Sequence, residues 1–410
     1  MRVLQFNCTN QGSVGKIMSS IEHYLLERGD SSCICHSIGD QTDSSQNRYR
    51  VSGKIEPGIS RRLGYMIGLQ YGLALFSTNR LLRQIKLYQP DIVHLHCPNC
   101  NTNVYRLLNY LKKNRICTVI TNHCEMFYTA NCAHAYECDR WMTGCGNCKH
   151  LKEYVGPYWI DGTNLSWKRM QRCFQDFPQL AVTSVSSWID ERSRRSTLLK
   201  SFSHYVIENG IAVDKYGYSP DKTVFDQTNG KKKVLFVTAQ FSEKKDHNKG
   251  GYYLLELARR MQHENVEFYV VGNREPLPCD LPNVIGLGRV DSVGKLSRMY
   301  AAADLSIVLS RKETFSMPCA ESLCSGTPVV GFKAGGPESI SIGAYSEFCE
   351  YGDVSALARI VREWVHYKEK NDPKQISADA ILRYSDSIMV EKYYHLYQML
   401  CHHGGPIRNE

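Results

Sequence analysis

The fold turns on the stretch Ser310-Arg-Lys-Glu-Thr-Phe-Ser-Met-Pro-Cys-Ala-Glu-Ser-Leu-Cys-Ser-Gly-Thr-Pro-Val-Val330. It follows the β-rich run Asp304-Leu-Ser-Ile-Val-Leu309. Pro318 suits the first turn of a helix, where its missing N–H costs nothing, so Ser316 or Met317 is expected at the N-cap. The pattern predicts a helix over 317–325, with Thr327-Pro-Val-Val-Gly331 as the next strand. Strand, loop, helix and strand in this order build a parallel sheet, and open sheets of that kind place ligands at the carboxyl ends of their strands. Glu313 falls in that loop, and Glu321 lies one to two turns into the helix. Carboxylates so placed can grip two hydroxyl-bearing parts of one ligand, while free amides at the helix start can bind phosphate or hydroxyl oxygens. The plainer alternative is a pair of surface glutamates, one of them serving the helix dipole.

The same rhythm runs outward in both directions. The amino-terminal half opens with the strand Arg2-Val-Leu-Gln-Phe6, a turn containing Gly12 and Gly15, and a helical pattern at Ile17, Ile21, Tyr24 and Leu25 closed by Gly29. Asp91-Ile-Val-His-Leu-His96, Thr118-Val-Ile-Thr121 and Ala181-Val-Thr-Ser-Val185 read as later strands. The carboxyl-terminal half restarts with Lys233-Val-Leu-Phe-Val-Thr238, a polar loop, a helix from Tyr252 to Met261, and the strands Glu267-Phe-Tyr-Val-Val-Gly272 and Asn283-Val-Ile-Gly-Leu287. The chain has 410 residues, and single cores rarely grow past ~250–300. The expected fold class is therefore α/β, as two Rossmann-like doubly wound domains. The junction is best placed near Asn209-Gly210, giving domains 1–208 and 209–385, then a carboxyl-terminal helix and tail at 386–410 with a frayed end after His402.

Composition narrows the class. A 42% apolar and 22% charged chain suits a soluble globular protein. The net charge of +9 permits attraction to phosphates, nucleic acid or an anionic membrane face. The basic groups Arg61-Arg62, Lys112-Lys113 and Lys231-Lys232-Lys233 read as solvated surface. The amino terminus lacks the apolar core of an export signal, and the apolar run Leu63 to Phe76 falls short of the ~20 residues of a spanning helix. A cytoplasmic chain is expected, with peripheral contact to the membrane face possible. Seventeen cysteines in a reducing compartment argue for buried thiols or metal ligation. Gly12-Ser-Val-Gly-Lys16 is a poor phosphate-binding P-loop, because Ile17 stands where a hydroxyl should bind magnesium.

Several motifs in order resemble one family. The Glu313-x7-Glu321 spacing, Ser325-Gly-Thr-Pro-Val-Val330 and Gly335-Gly-Pro-Glu338 resemble the donor site of family 4 retaining glycosyltransferases with the GT-B fold, of the bacterial surface-polysaccharide type. The strand 91–96, Asn122-His123, Val206-Ile-Glu-Asn-Gly210, Gly288-Arg-Val290 and Tyr300-Ala-Ala-Ala-Asp304 are similar to further landmarks of that family. The resemblance implies two domains facing across a cleft, an acceptor side at 1–208 and a nucleotide-sugar side at 209–385. It implies that Glu321 holds the donor ribose and that Glu313 holds the donor sugar, with backbone amides of Phe315, Ser316 and Met317. It also implies His123 facing the sugar, Lys249 neutralising the diphosphate, and Val290 in the base-binding turn. Gly12 and Gly15 would lie near the donor phosphates, the better reading, with a plain strand-to-helix turn as the lesser alternative. No catalytic metal or cofactor is implied. The family's arginine soon after the strand is missing, and Lys244 or Lys245 in a longer loop is the expected substitute. Thr314 and Ser316 stand where many members carry glycine.

Two features lie outside that pattern. Cys132, Cys138, Cys145 and Cys148, in an insertion at 124–150, have spacing compatible with a structural zinc, with packed reduced thiols as the equal alternative. Gly64, Gly68 and Gly72 fall on one face of an expected helix and ask for a close contact, either another helix or a shallow membrane surface. The function expected is transfer of a sugar from a nucleoside-diphosphate sugar to a glycan or lipid-linked acceptor hydroxyl. A nucleotide-sugar epimerase of the same fold needs a further acid/base constellation. A zinc-stabilised nucleic-acid-binding protein leaves Glu313 and Glu321 unexplained and lacks interleaved aromatic and basic residues, so nucleic acid is not an expected partner.

Overall fold

A computed structural model describes residues 1–39, 43, 46–98, 101–156, 159–225, 230–272, 277, 279–367 and 371–402. The expectation of a frayed end after His402 falls outside them. The chain divides into two units, Met1–Ile207 with Val390–Glu410, and Glu208–Met389.

Unit 1 is built on strands β1 (Arg2–Thr9), β2 (Ser31–Ile38), β3 (Arg48–Arg50), β4 (Ile92–Leu95), β5 (Cys117–Asn122), β6 (Leu180–Ser184) and β7 (Ser203–Val206). They form one sheet in the order β3-β2-β1-β4-β5-β6-β7, with every pairing parallel. Parallel strands need crossovers, supplied by α1 (Gly12–Glu27), α2 (Glu56–Ile67), α3 (Leu75–Tyr88), α4 (Val104–Lys113), α5 (Met126–Thr129), α6 (Thr163–Phe174) and α7 (Ser187–Arg195). Helices on both faces explain why Val3, Leu4 and Phe6 are all fully buried despite alternating across β1. Helix α1 buries Ile17, Ile21 and Leu25, one stripe at helical spacing. Gly29, at φ 77°, then ends it with the Asp30 amide donating to the Leu25 carbonyl at 3.0 Å.

Unit 2 repeats the plan with β8 (Lys232–Val237), β9 (Val266–Val271), β10 (Val284–Gly288), β11 (Leu305–Val308), β12 (Val329–Phe332) and β13 (Ser346–Cys349), ordered β10-β9-β8-β11-β12-β13. Its helices are α8 (Gly251–Arg260), α9 (Val293–Ala302), α10 (Met317–Cys324), α11 (Gly336–Ile340), α12 (Val354–Trp364) and α13 (Pro373–Tyr384). A last helix, α14 (Asp386–His402), begins in unit 2 and continues into unit 1, where Tyr393 and Tyr397 are buried. In each unit the strand order reverses beside the first strand, between β1 and β4 and between β8 and β11. Ligands of doubly wound sheets sit at that switch point, outside the carboxyl ends of the strands.

Two sequence expectations are corrected here. Gly64, Gly68 and Gly72 do not share a helix. Helix α2 stops at Ile67, Gly68 is its left-handed cap at φ 70°, and Gly72 lies in the following turn. Lys233 is not solvated surface. It lies on the central strand β8, is 1% exposed, and pairs at 3.0 Å with Glu267 of the adjacent strand β9.

Candidate active site

At the switch point of unit 2, the loop after β8 meets the loop after β11. Asn248 joins them: its Nδ2 donates to the Lys312 carbonyl at 3.0 Å, and its Oδ1 accepts from the Lys312 amide at 3.0 Å. Gly250 makes the approach possible, since a Cβ there would stand 2.1 Å from the Leu309 carbonyl oxygen. Between these anchors, Lys249 Nζ lies 2.5 Å from Glu313 Oε1, and Ser310 Oγ donates to the same oxygen at 2.8 Å. The Gly335-Gly-Pro-Glu338 segment fixes this loop from the other side. Glu338 accepts the amides of Ala334 and Gly335 at 2.9 and 2.7 Å, and the Gly336 amide donates to the Glu313 carbonyl at 2.8 Å. A Cβ on Gly336 would come within 2.5 Å of the Phe315 nitrogen, so only glycine fits against the loop.

Phe315, Ser316 and Met317 lead into α10, and Phe315 and Ser316 are buried. Ser316 is the N-cap with φ 86°, a left-handed conformation that glycine adopts without cost and serine does not. Its buried Oγ has no hydrogen-bond partner among the described residues. Strain and an unpaired hydroxyl at a helix amino end are features that cluster at binding sites. Glu321, on α10, accepts from the Tyr300 hydroxyl at 3.3 Å and also bonds Tyr216. Burial first, and the Glu321 charge second, push both phenols well above their ordinary range, so they stay protonated donors. Lys244 and Lys245 are exposed on the loop after β8, and Val290 is half-buried just beyond β10. Unit 2 thus gathers Lys249 and Glu313 into direct contact and leaves Lys244 and Lys245 outside that contact.

At the switch point of unit 1, Gly12 opens α1 at φ 75°, and a Cβ on Gly15 would stand 2.2 Å from the Asn10 carbonyl oxygen. His123 follows β5, and its Nε2 is 3.0 Å from His96 Nδ1. His96 Nε2 is 3.2 Å from Gln5 Oε1, and the Gln5 amide nitrogen donates to the Met18 carbonyl at 3.0 Å. That last bond fixes the amide orientation, so the network assigns the proton of His96 to Nε2. His96 Nδ1 is then an acceptor, and His123 Nε2–H donates to it. Burial drives the His123 imidazole down to about 3, so it is neutral at physiological pH. His94 stacks on His96 with centroids 3.8 Å apart and is held by Tyr397 and Thr121, each at 2.6 Å. Cys97 and Cys124 flank His123 with their sulfurs 3.9 Å apart.

Among the described residues no group of three or more His, Cys, Asp or Glu side chains is placed to hold a metal ion, so a zinc on Cys132, Cys138, Cys145 and Cys148 is not supported. Cys145 Sγ donates to the Thr129 carbonyl at 3.7 Å. Burial is the main force raising Cys132, Cys145 and Cys148, with Cys145 at about 12, which keeps the thiols protonated. The insertion is tied to the rest of unit 1 by Glu125, which is fully buried. It takes Arg192 Nε at 2.7 Å, the Tyr128 hydroxyl and the Ala135 amide. Arg192 in turn lies 4.8 Å from the ring centre of Trp141, inside the insertion.

Gln5, and Tyr216 against Glu321, are site residues that sequence reasoning did not find. Asn248, His96 and Tyr300 lie inside motifs legible in the sequence, beside Lys249-Gly-Gly, on the strand 91–96 and at the head of Tyr300-Ala-Ala-Ala-Asp304, but their contacts were not.

Residues 231–366 match the family described as "Glycosyl transferases group 1". Over 98% of this chain and 100% of its own length, WcaC of Escherichia coli K12, assigned as a colanic acid biosynthesis glycosyl transferase, is 22% identical. A glycosyltransferase from Rickettsia africae superposes with a TM-score of 0.66 at 16% identity, covering 98% of each chain. Anabaena HepE in complex with UDP-glucose does so with a TM-score of 0.63 at 15% identity, covering 97% of this chain and 99% of its own. These structures show the same GT-B architecture of two parallel-sheet Rossmann-like units. By class the chain is a glycosyltransferase, as its motifs imply.

Proposed function

We propose that the chain transfers a sugar from a nucleoside-diphosphate sugar to a hydroxyl of a glycan or lipid-linked acceptor, with retention at the anomeric carbon, in surface polysaccharide synthesis. The observation that carries this reading is the Lys249–Glu313 pair, seated at the switch point of unit 2 beside the amino end of α10. A nucleoside diphosphate gains charge as it leaves. The Lys249 ammonium and the first amides of α10 are fixed groups that stabilise that charge without reorganising. Glu313, oriented by Ser310 and Lys249, offers its carboxylate to sugar hydroxyls. Glu321 offers its carboxylate to the ribose, backed by two protonated tyrosines. In unit 1, His123 faces the donor sugar as a neutral imidazole, its ring held in place through His96 and Gln5. The UDP-glucose complex of HepE and the polysaccharide assignment of WcaC agree with this reading.

The test begins with a panel of nucleoside-diphosphate sugars, from which the true donor raises the melting temperature by binding the native state. With that donor, Lys249→Ala should lower turnover by ~10²–10³-fold, the loss usual for one preorganised charge at a developing anion. Adding Lys244→Ala and Lys245→Ala should lower it further. Wild-type turnover in the triple variant would show that other groups hold the diphosphate.

A further inference from the structure

The segment Lys54-Ile-Glu-Pro-Gly-Ile-Ser-Arg-Arg-Leu-Gly-Tyr-Met-Ile67 carries large apolar residues at 55, 59, 63 and 66, one stripe at helical spacing. A helix of a globular chain ordinarily buries such a stripe. Helix α2 does the reverse. Its buried residues are the small ones, Ser60 and Gly64. Ser60 Oγ accepts the Ala74 amide at 3.1 Å, and a Cβ on Gly64 would stand 2.8 Å from Gln70 Cα. The helix is therefore pinned to unit 1 through its small face. Ile55, Ile59, Leu63 and Met66 point to solvent, with exposures of 73%, 53%, 46% and 42%.

Neighbouring segments extend the same surface at both ends of α2. At its start, the Phe76 amide donates to Glu56 Oε1 at 2.7 Å, and the Phe76 side chain is 73% exposed. At its end, a Cβ on Gly68 would lie 2.6 Å from the Ile160 carbonyl oxygen, so Trp159 and Ile160 stand beside the cap, with Trp159 82% exposed. Lys54, Arg61 and Arg62 are exposed along the helix, and among the described residues none of the three forms an ion pair.

We infer that α2, with Phe76 and Trp159 at its two ends, is a docking surface for an anionic lipid bilayer. An apolar stripe flanked by cations on a surface helix lies in the plane of the headgroup boundary, with the apolar side chains entering the acyl region and the cations at the anionic headgroups. Tryptophan prefers that boundary because its ring is apolar at one end and a hydrogen-bond donor at the other. Among the described residues no helix is long and apolar enough to cross a membrane, so the contact is to one face of it. The inference does not depend on the proposed reaction, because the test uses neither donor nor acceptor.

The full chain is sedimented with vesicles of phosphatidylglycerol and phosphatidylcholine in equal parts, and with phosphatidylcholine alone. Binding to the mixed vesicles is expected, with ~10-fold or greater preference over phosphatidylcholine. Ile59→Glu with Leu63→Glu should lower binding to the mixed vesicles by at least ~10-fold, and Arg61→Ser with Arg62→Ser should remove the anionic preference. These are exposed positions, so melting temperatures should barely move and misfolding is separable from lost docking. Failure of the wild type to bind the mixed vesicles, or equal binding by the glutamate variant, would overturn the inference. So would light scattering that shows a wild-type dimer and a monomeric glutamate variant, since the face would then be covered by a second copy.

Discussion

Ser316 concentrates the local physics of the site in one residue. A non-glycine residue at φ 86° with a buried, unpaired hydroxyl is unfavourable on both counts. Ser316→Gly should therefore raise stability by about 1 kcal/mol, because relief of strain exceeds the entropy lost by freeing the unfolded chain. Ser316→Val, β-branched at the same angle, should lower it. Denaturant titration of the pair reads both signs, and a destabilising glycine would mean that the backbone is not strained there. The sequence flagged this position only through its resemblance to a family with glycine there. The angle itself depends on how Gly336 presses against Phe315, which lies outside any local pattern. The hydrogen bonds around His123 were illegible for a similar reason. Gln5 and His96 are 91 positions apart, and only the β1–β4 pairing brings them together.

At the level of elements, the strands and helices of unit 2 were legible because β-rich runs alternate with helical stripes, and Pro318 and Gly326 mark the limits of α10. The end of α2 was not. Gly68 continues an apolar helical pattern as well as it ends one, and its left-handed angle is imposed by the approach of Gly162, with a Cβ only 2.4 Å from that nitrogen. Cysteine spacing was equally silent about what ties the insertion to the sheet, since it gives intervals along the chain and says nothing of Glu125 or Arg192. The structure shows the Glu125–Arg192 pair as a tie that holds the insertion. Arg192→Ala leaves a fully buried carboxylate without its cation and should cost about 3–5 kcal/mol. A strong chelator should leave the melting temperature of the wild type unchanged. Unfolding by the chelator would make metal the organising force, and an Arg192→Ala variant as stable as wild type would remove the ion pair from that role.

For the whole molecule, the two-unit fold was readable from length and from the repeated strand–helix rhythm. The positions of Glu313, Lys249 and Glu321 follow from where doubly wound sheets open for ligands. Each unit turns its special residues toward the switch point of its own sheet: His123 in unit 1, and the Lys249–Glu313 pair in unit 2. The central claim is that the second of these is a nucleoside-diphosphate-sugar site. Calorimetric titration of the wild type and of Glu321→Ala with the donor found by thermal shift tests it most directly. Hydrogen bonds to a charged group are worth ~1.5–3 kcal/mol, so the substitution should weaken binding by ~10-fold or more, in a variant that still unfolds cooperatively without donor at a melting temperature lowered by the loss of the Tyr216 and Tyr300 bonds. Unchanged affinity in Glu321→Ala, or no heat with any nucleoside-diphosphate sugar, would contradict the account.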